Sequence, residues 1–144
     1  MGRTAAVAMT ASLTLAVLAG CSGEKSPYCA AVEADQKTLD SFGADRSDAG
    51  FSTYAKTLTE IAALAPASSK KAWAALSDAT QGVVDAHAAV GFKLEDMDDQ
   101  KKREGLSAGD VDSLNAAYKA FNGTSDQRKA VVADVKKTCD ITLK

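Results

Sequence analysis

The chain has 144 residues, of which 25% are charged, and its 17 basic and 19 acidic residues give a net charge of −2 at pH 7. Residues of both signs are interspersed along the sequence and no basic tract occurs. This pattern argues against nucleic acid as a partner, and against binding to anionic lipid by charge alone.

The first twenty residues have the features of a secretory signal peptide. They begin with the positive charge of Arg3, continue through a mildly apolar run and end in small residues. The run covers about 15 residues, whereas a transmembrane helix needs about 20, so a removable signal is favoured. We therefore expect a signal peptide over residues 1–20, a polar tether over 21–27 and a single helical domain over 28–144.

Leu18, Ala19, Gly20 and Cys21 resemble the lipobox of bacterial lipoproteins. In that family a diacylglyceryl group is attached to the cysteine thiol, and the lipoprotein signal peptidase recognises the three preceding residues and cuts before the cysteine. The resemblance implies a lipid-anchored protein on the extracytoplasmic face of the cell membrane, with acyl chains such as palmitate on Cys21. An ordinary signal peptide with a chance cysteine is the alternative.

The cysteine count agrees with lipidation. Three cysteines are an odd number for a secreted protein. If lipid occupies Cys21, then Cys29 and Cys139 remain as a pair, and a disulfide bond can form and persist outside the cytoplasm. Two unpaired, buried thiols are the alternative.

The sequence after the tether favours helices throughout. Alanine, lysine and leucine are abundant, only two prolines occur, and apolar residues recur at steps of three and four. Ser107 and Thr124 each begin a sequence pattern typical of a capping box, and Asn122-Gly123 predicts a break between two helices. The predicted helices span about 28–41, 51–64, 67–90, 108–121 and 124–139.

These helices predict an all-α fold, an up-and-down-like bundle of four to five helices closed by the disulfide. In a simple up-and-down bundle of five helices the last runs parallel to the first, which would place Cys29 and Cys139 at opposite ends. One long crossover must then span the bundle, and only the segment 92–106 is long enough. The third and fourth predicted helices would run in the same direction, with Pro66 and Leu106 at the end that carries the cysteines.

His87 is the only histidine, and it shares an apolar seam of the third predicted helix with Trp73. A metal site or a catalytic pair would need partners that the sequence does not supply, so we expect a core or boundary histidine. A pocket for a small apolar ligand beside Trp73 and His87 is the alternative.

The stretch from Glu95 to Asp99 carries four carboxylates in five residues. It lacks the central glycine and the closing glutamate of an EF-hand loop, and it runs into a basic stretch. A solvated short helix with its own ion pairs is therefore favoured over a cation site, although cation binding stays open. No cofactor, metal or catalytic motif is predicted, and we do not expect an enzyme.

Further features resemble small lipoproteins of high-GC Gram-positive bacteria: the lipobox, Tyr28 and Cys29 at the start of a helix, an alanine- and lysine-rich body, and Cys139 near the C-terminus. The resemblance implies an address and a fold, and it transfers no functional residue beyond Cys21. We expect a binding or scaffolding module in the cell envelope with an envelope protein as partner. A carrier or receptor for a small apolar ligand is the alternative, and the sequence predicts no oligomeric state.

Overall fold

Every regular element in the described part of the chain is helical. The computed structural model describes residues 25–41 and 44–144; the predicted signal peptide, the lipobox and Cys21 lie outside them. The all-α prediction is confirmed. The described α-helices are α1 (Pro27–Ala34), α2 (Gln36–Asp40), α3 (Asp48–Leu64), α4 (Lys70–Val90), α5 (Gln100–Arg103), α6 (Ala108–Asn122) and α7 (Ser125–Cys139), with a 3-10 turn over Leu94–Asp96.

Local signals set the ends of the two long helices α3 and α4. The hydroxyl of Ser47 accepts a backbone N–H of the first turn of α3 at 3.0 Å and so caps that helix. At the other end, Pro66 holds Ala65 in an extended conformation with ψ 142°, which stops α3. Helix α4 ends at Gly91, whose φ of +64° lies in the left-handed region that glycine adopts without strain.

One of the two predicted capping boxes is present. The hydroxyl of Ser107 accepts the N–H of Asp110 at 3.2 Å, and the Asp110 carboxylate accepts the N–H of Ser107 at 3.0 Å. At Thr124 the prediction is wrong, because its hydroxyl donates back to the carbonyl of Phe121 at 2.7 Å. Gly123 keeps a right-handed conformation, with φ −69° and ψ −7°. Helices α6 and α7 are therefore two segments of one kinked rod.

Contacts along α4 give the direction of the α6–α7 rod. Near the end of α4, His87 Nε2 lies 2.9 Å from the hydroxyl of Tyr118 in α6. Before the start of α4, the Ser68 hydroxyl donates to the Asp134 carboxylate of α7 at 3.1 Å. The partner residue number rises as the α4 residue number falls, so the rod runs antiparallel to α4.

The directions of the α1–α2 and α3 rods follow from their contacts with α4. Helix α3 runs antiparallel to α4 after a short loop, and the hydroxyls of Thr59 and Ser77 meet between them at 2.7 Å. The indole N–H of Trp73 in α4 donates to the hydroxyl of Tyr28 at 2.9 Å, which places the start of α1 beside the start of α4. The α1–α2, α3, α4 and α6–α7 rods therefore alternate in direction.

The predicted bundle and disulfide are confirmed, but the crossover is wrong. Cys29 and Cys139 are bonded, with their Cα atoms 5.3 Å apart, and four alternating rods bring them to one end without a crossing. The crossover prediction treated α6 and α7 as two antiparallel helices, whereas they form one rod. Because α4 and α6 are antiparallel, the connection 91–107 leaves and rejoins the bundle at one end. Leu106 therefore lies opposite the cysteines.

The interior is divided between the two ends of the bundle. The end with the Cys29–Cys139 bond, which we call the disulfide end, is filled by a cluster that includes Trp73, Ile61 and Val135. The opposite end, which we call the connection end, has the smaller cluster of Phe51, Val83, Leu94 and Phe121. The connection end thus has the smaller hydrophobic core.

Replacing both Cys29 and Cys139 with alanine is expected to lower the free energy of unfolding by about 4–5 kcal/mol. The bond links residues 110 apart, and opening a loop of that length restores conformational entropy to the unfolded chain. Urea unfolding followed by circular dichroism measures the change. Cys21→Ser is the matched control, with no expected loss, and equal stability of the double variant and the natural chain would contradict the prediction.

Candidate functional site

A depression at the connection end, which we call the cleft, is the candidate site. Its volume of about 510 Å³ lies within the range of small-molecule pockets. The start of α3, the segment 94–103 and the end of α6 form its walls. Among the described residues, none from the α1–α2 rod lines it. The floor consists of Phe51, Leu94, Met97 and Phe121, and the rim of Arg46, Glu95, Asp98, Arg103, Tyr118 and Asn122.

Two phenylalanines from separate rods form the base of the cleft. The rings of Phe51 and Phe121 lie 5.7 Å apart between centroids and are tilted by 51°, a favourable aromatic arrangement. Each residue is 8% exposed. The base therefore belongs to the folded core, and a ligand would meet a preformed apolar surface.

Reciprocal hydrogen bonds fix the wall made by the segment 94–103. The backbone N–H of Leu94 donates to the Asp48 carboxylate at 2.9 Å, and the N–H of Asp48 donates to the Glu95 carboxylate at 3.0 Å. The latter bond holds the pKa of Glu95 below its usual range. The Arg103 guanidinium also donates to the carbonyl of Met97. A highly charged connection is thus pinned to the start of α3.

The four carboxylates of residues 95–99 differ in their contacts. Asp96 pairs with Lys102 at 2.6 Å, and Asp99 accepts two backbone N–H groups at the start of α5. Glu95 is bound to α3, which leaves Asp98 on the cleft rim. Over residues 25–41 and 44–144, no three histidine, cysteine or acidic side chains are grouped as they would be to bind a metal ion.

His87 is a core histidine, as predicted, and is only 3% exposed. Its Nδ1 lies 2.7 Å from the Phe92 carbonyl oxygen, and since a carbonyl can only accept, Nδ1 carries the proton. The other ring nitrogen, Nε2, lies 2.9 Å from the Tyr118 hydroxyl. The pKa of Tyr118 is raised, chiefly by burial and further by Asp48. His87 thereby joins the connection to one wall of the cleft.

The structure does not bring Trp73 and His87 together in one pocket. They are fourteen residues apart on α4, which corresponds to about 21 Å of helix. Trp73 is 1% exposed within the core of the disulfide end, and the space beside it is only about 20 Å³. A separate pocket of about 190 Å³ adjoins His87. The two residues share a seam of α4, but they belong to opposite ends of the bundle.

The sequence pattern missed the cleft because one of its walls, residues 94–103, lies in a connection rich in charge. The one available signal was the apolar pair Leu94 and Met97, three residues apart within the acidic stretch. Leu94 is 5% exposed, and Met97 is partly buried. Apolar side chains at that spacing in a charged connection indicate a segment that packs onto the core.

Comparisons with known proteins identify no relative. No protein-family model matches the chain, and no significant match exists among curated proteins or solved structures. None of the helices within 25–41 and 44–144 has the length and apolar character needed to cross a membrane. Functional inference therefore rests on the residues of this chain.

Tyr118→Phe is expected to lower the free energy of unfolding by about 1–2 kcal/mol. The variant removes the hydroxyl and leaves the buried Nε2 of His87 without its hydrogen-bond partner. Thermal and urea unfolding measure the loss. Lys119→Ala, an exposed neighbour on α6, is the control and should change stability by less than about 0.5 kcal/mol. Equal values for both variants would show that the hydroxyl bond contributes nothing measurable.

Proposed function

We propose that the protein is an extracytoplasmic lipoprotein, anchored through Cys21, whose helical domain acts as a binding module in the cell envelope. The cleft at the connection end is the proposed binding surface. An envelope protein is the proposed partner, and no enzymatic activity is proposed.

The disulfide supports the proposed location. A bond between Cys29 and Cys139 is typical of proteins that fold outside the cytoplasm. It accounts for two of the three cysteines, and the third, Cys21, is the residue that the lipobox assigns to lipid attachment. The disulfide and the proposed lipid attachment would together account for all three cysteines.

The observation that carries the proposal is the position of the cleft relative to the anchor. Lys25, the first described residue, precedes α1 at the disulfide end, whereas the cleft lies at the opposite end. A 21-residue α4 corresponds to about 30 Å between the two ends. An anchor at Cys21 therefore leaves the cleft accessible from the envelope side.

The chemistry of the cleft suits a short amphipathic segment of a partner protein. Its apolar floor can accept one or two hydrophobic side chains, and its rim offers charges of both signs. Arg46 and Asp98 on that rim form no hydrogen bond or salt bridge with another described residue. Pairing them with a partner would add directional contacts around an apolar anchor, as in many protein interfaces.

A carrier of a small apolar ligand is the second candidate. It is favoured by the volume of the cleft, about 510 Å³, which could hold a small molecule. In this candidate the ligand would occupy the cleft over Phe51 and Phe121, and not the predicted position near Trp73. The rim charges would then lie at the mouth of the pocket.

Mass spectrometry of the protein extracted from its own membrane tests the anchor. The expected mass is that of residues 21–144 with acyl groups on Cys21, less two hydrogens for the disulfide. Cys21→Ser is the control and should remain uncleaved and unacylated. A mass that retains the signal peptide, or lacks acyl groups, would refute the anchor. A small molecule that stays bound in the gas phase would favour the carrier.

A photoreactive amino acid at Met97, in the cleft, tests the binding surface in intact cells. The matched control is Asn115, which is exposed on α6 and does not line the cleft. We expect a discrete cross-linked protein with the Met97 probe and none with the Asn115 probe. Equal cross-linking at both positions, or none at either, would contradict the proposed surface.

A further inference from the structure

The disulfide end carries a group of exposed lysines. Lys25 precedes α1, Lys70 and Lys71 form the start of α4, and Lys136 and Lys137 lie in the last turn of α7. These segments converge because Cys29 is bonded to Cys139 and because Ser68 contacts Asp134. The lysines, distant in sequence, therefore share one end of the bundle.

The acidic groups nearby neutralise only part of this charge. Glu33 pairs with Lys25, and Asp140 pairs with Lys136. The Asp134 carboxylate accepts hydrogen bonds from the hydroxyls of Tyr28 and Ser68 and keeps its negative charge, so these three acidic groups offset three of the five lysine charges. No salt bridge with another described residue is formed by Lys70, Lys71 or Lys137. The disulfide end therefore presents positive charge to its surroundings.

The stability of α4 does not explain why lysines occupy its first turn. Positive charge in the first turn opposes the helix dipole and destabilises a helix. Helices α3, α6 and α7 carry Asp48, Asp110 and Asp126 in their first turns, whereas α4 has no acidic residue there. Among the described helices of 15 residues or more, α4 is thus the one whose first turn has lysines and no acidic residue.

At the connection end, acidic residues outnumber basic residues. Residues 91–112 contain seven Asp or Glu and four Lys or Arg, so the molecule is positive near the disulfide and negative around the cleft. Leu64, 46% exposed at the end of α3, adds an apolar side chain to the disulfide end. Lysines around an exposed apolar residue are typical of surfaces that contact the headgroup region of a membrane.

We propose that the disulfide end is a membrane-docking face, which rests on an anionic lipid surface and holds the domain upright with its cleft outward. The inference builds on the proposed anchor at Cys21. Lys25 lies four positions after Cys21, and four residue steps span at most about 14 Å. The anchor therefore keeps the lysines close to the headgroups. The charges of the lysines orient the domain, and the acyl chains attach it to the membrane.

Chemical coupling provides an anchor that does not depend on cellular acylation. The unpaired thiol of Cys21, in the chain of residues 21–144, is joined to a maleimide lipid in vesicles. The vesicles contain phosphatidylglycerol in one arm and phosphatidylcholine alone in the other. Acetylation rates are then measured by mass spectrometry, with Lys70, Lys71 and Lys137 as reporters of docking and with Lys93 and Lys101 at the connection end as internal controls.

Docking predicts acetylation several-fold slower at the three reporters on phosphatidylglycerol vesicles, with Lys93 and Lys101 unchanged. Phosphatidylcholine should give little protection. Salt at 1 M should remove it, because the screening length falls to about 3 Å. Equal rates at both ends, or protection that is independent of lipid charge and salt, would overturn the proposal.

The double substitution K70E/K71E separates docking from folding. It should raise the midpoint of thermal unfolding by a few degrees, since it favours the helix dipole, and abolish the protection of Lys137. K93E/K101E is the matched control and should leave that protection intact. Protection of Lys137 that survives K70E/K71E would overturn the docking face. Missing acyl groups on the cellular protein would refute the proposed anchor alone, because the vesicle anchor is chemical.

Discussion

The hydroxyl of Thr124 donates back to the carbonyl of Phe121, and the chain continues in helical geometry where a reversal was expected. The arrangement of the bundle depends on this junction. Because α6 and α7 form one rod, the described residues form four rods and not five, and their directions alternate. The last rod returns to the end where the first begins, so Cys29 and Cys139 can bond. The connection 91–107 is then free to fold over one end.

Hydrogen bonds that reach back into the bundle hold the charged connection at that end. Phe92 is bound through its carbonyl to His87, and Leu94 through its N–H to Asp48. These bonds satisfy polar groups that would otherwise be buried without partners, which would cost stability. They also place Leu94 over the aromatic base of the cleft. Polar contacts thus position an apolar surface, and the cleft depends on both.

The sequence predicted the helices better than their directions. Apolar spacing and the Ser107 capping box placed α3, α4 and α6 within a few residues, because these signals act within a few turns of helix. Asn122-Gly123-Thr124 is compatible with a hairpin or a kink, and only packing against α4 decides between them. Trp73 and His87 share a helical face, but sequence periodicity carries no information on their separation along the axis. Cleft residues such as Leu94 depend on contacts with Asp48, 46 residues earlier.

The covalent bond between the first and last rods also governs how the domain bears a mechanical load. A pull on Cys21 reaches Cys29 first, and through the bond it reaches Cys139 at the same moment. Helix α1 does not carry the load alone, because the tension divides between α1 and α7, which the disulfide joins. The cysteines lie 110 positions apart in the sequence, and the chain between them forms a closed ring that cannot be drawn out as a linear chain. A force applied at the connection end would therefore be shared by both rods at the disulfide end.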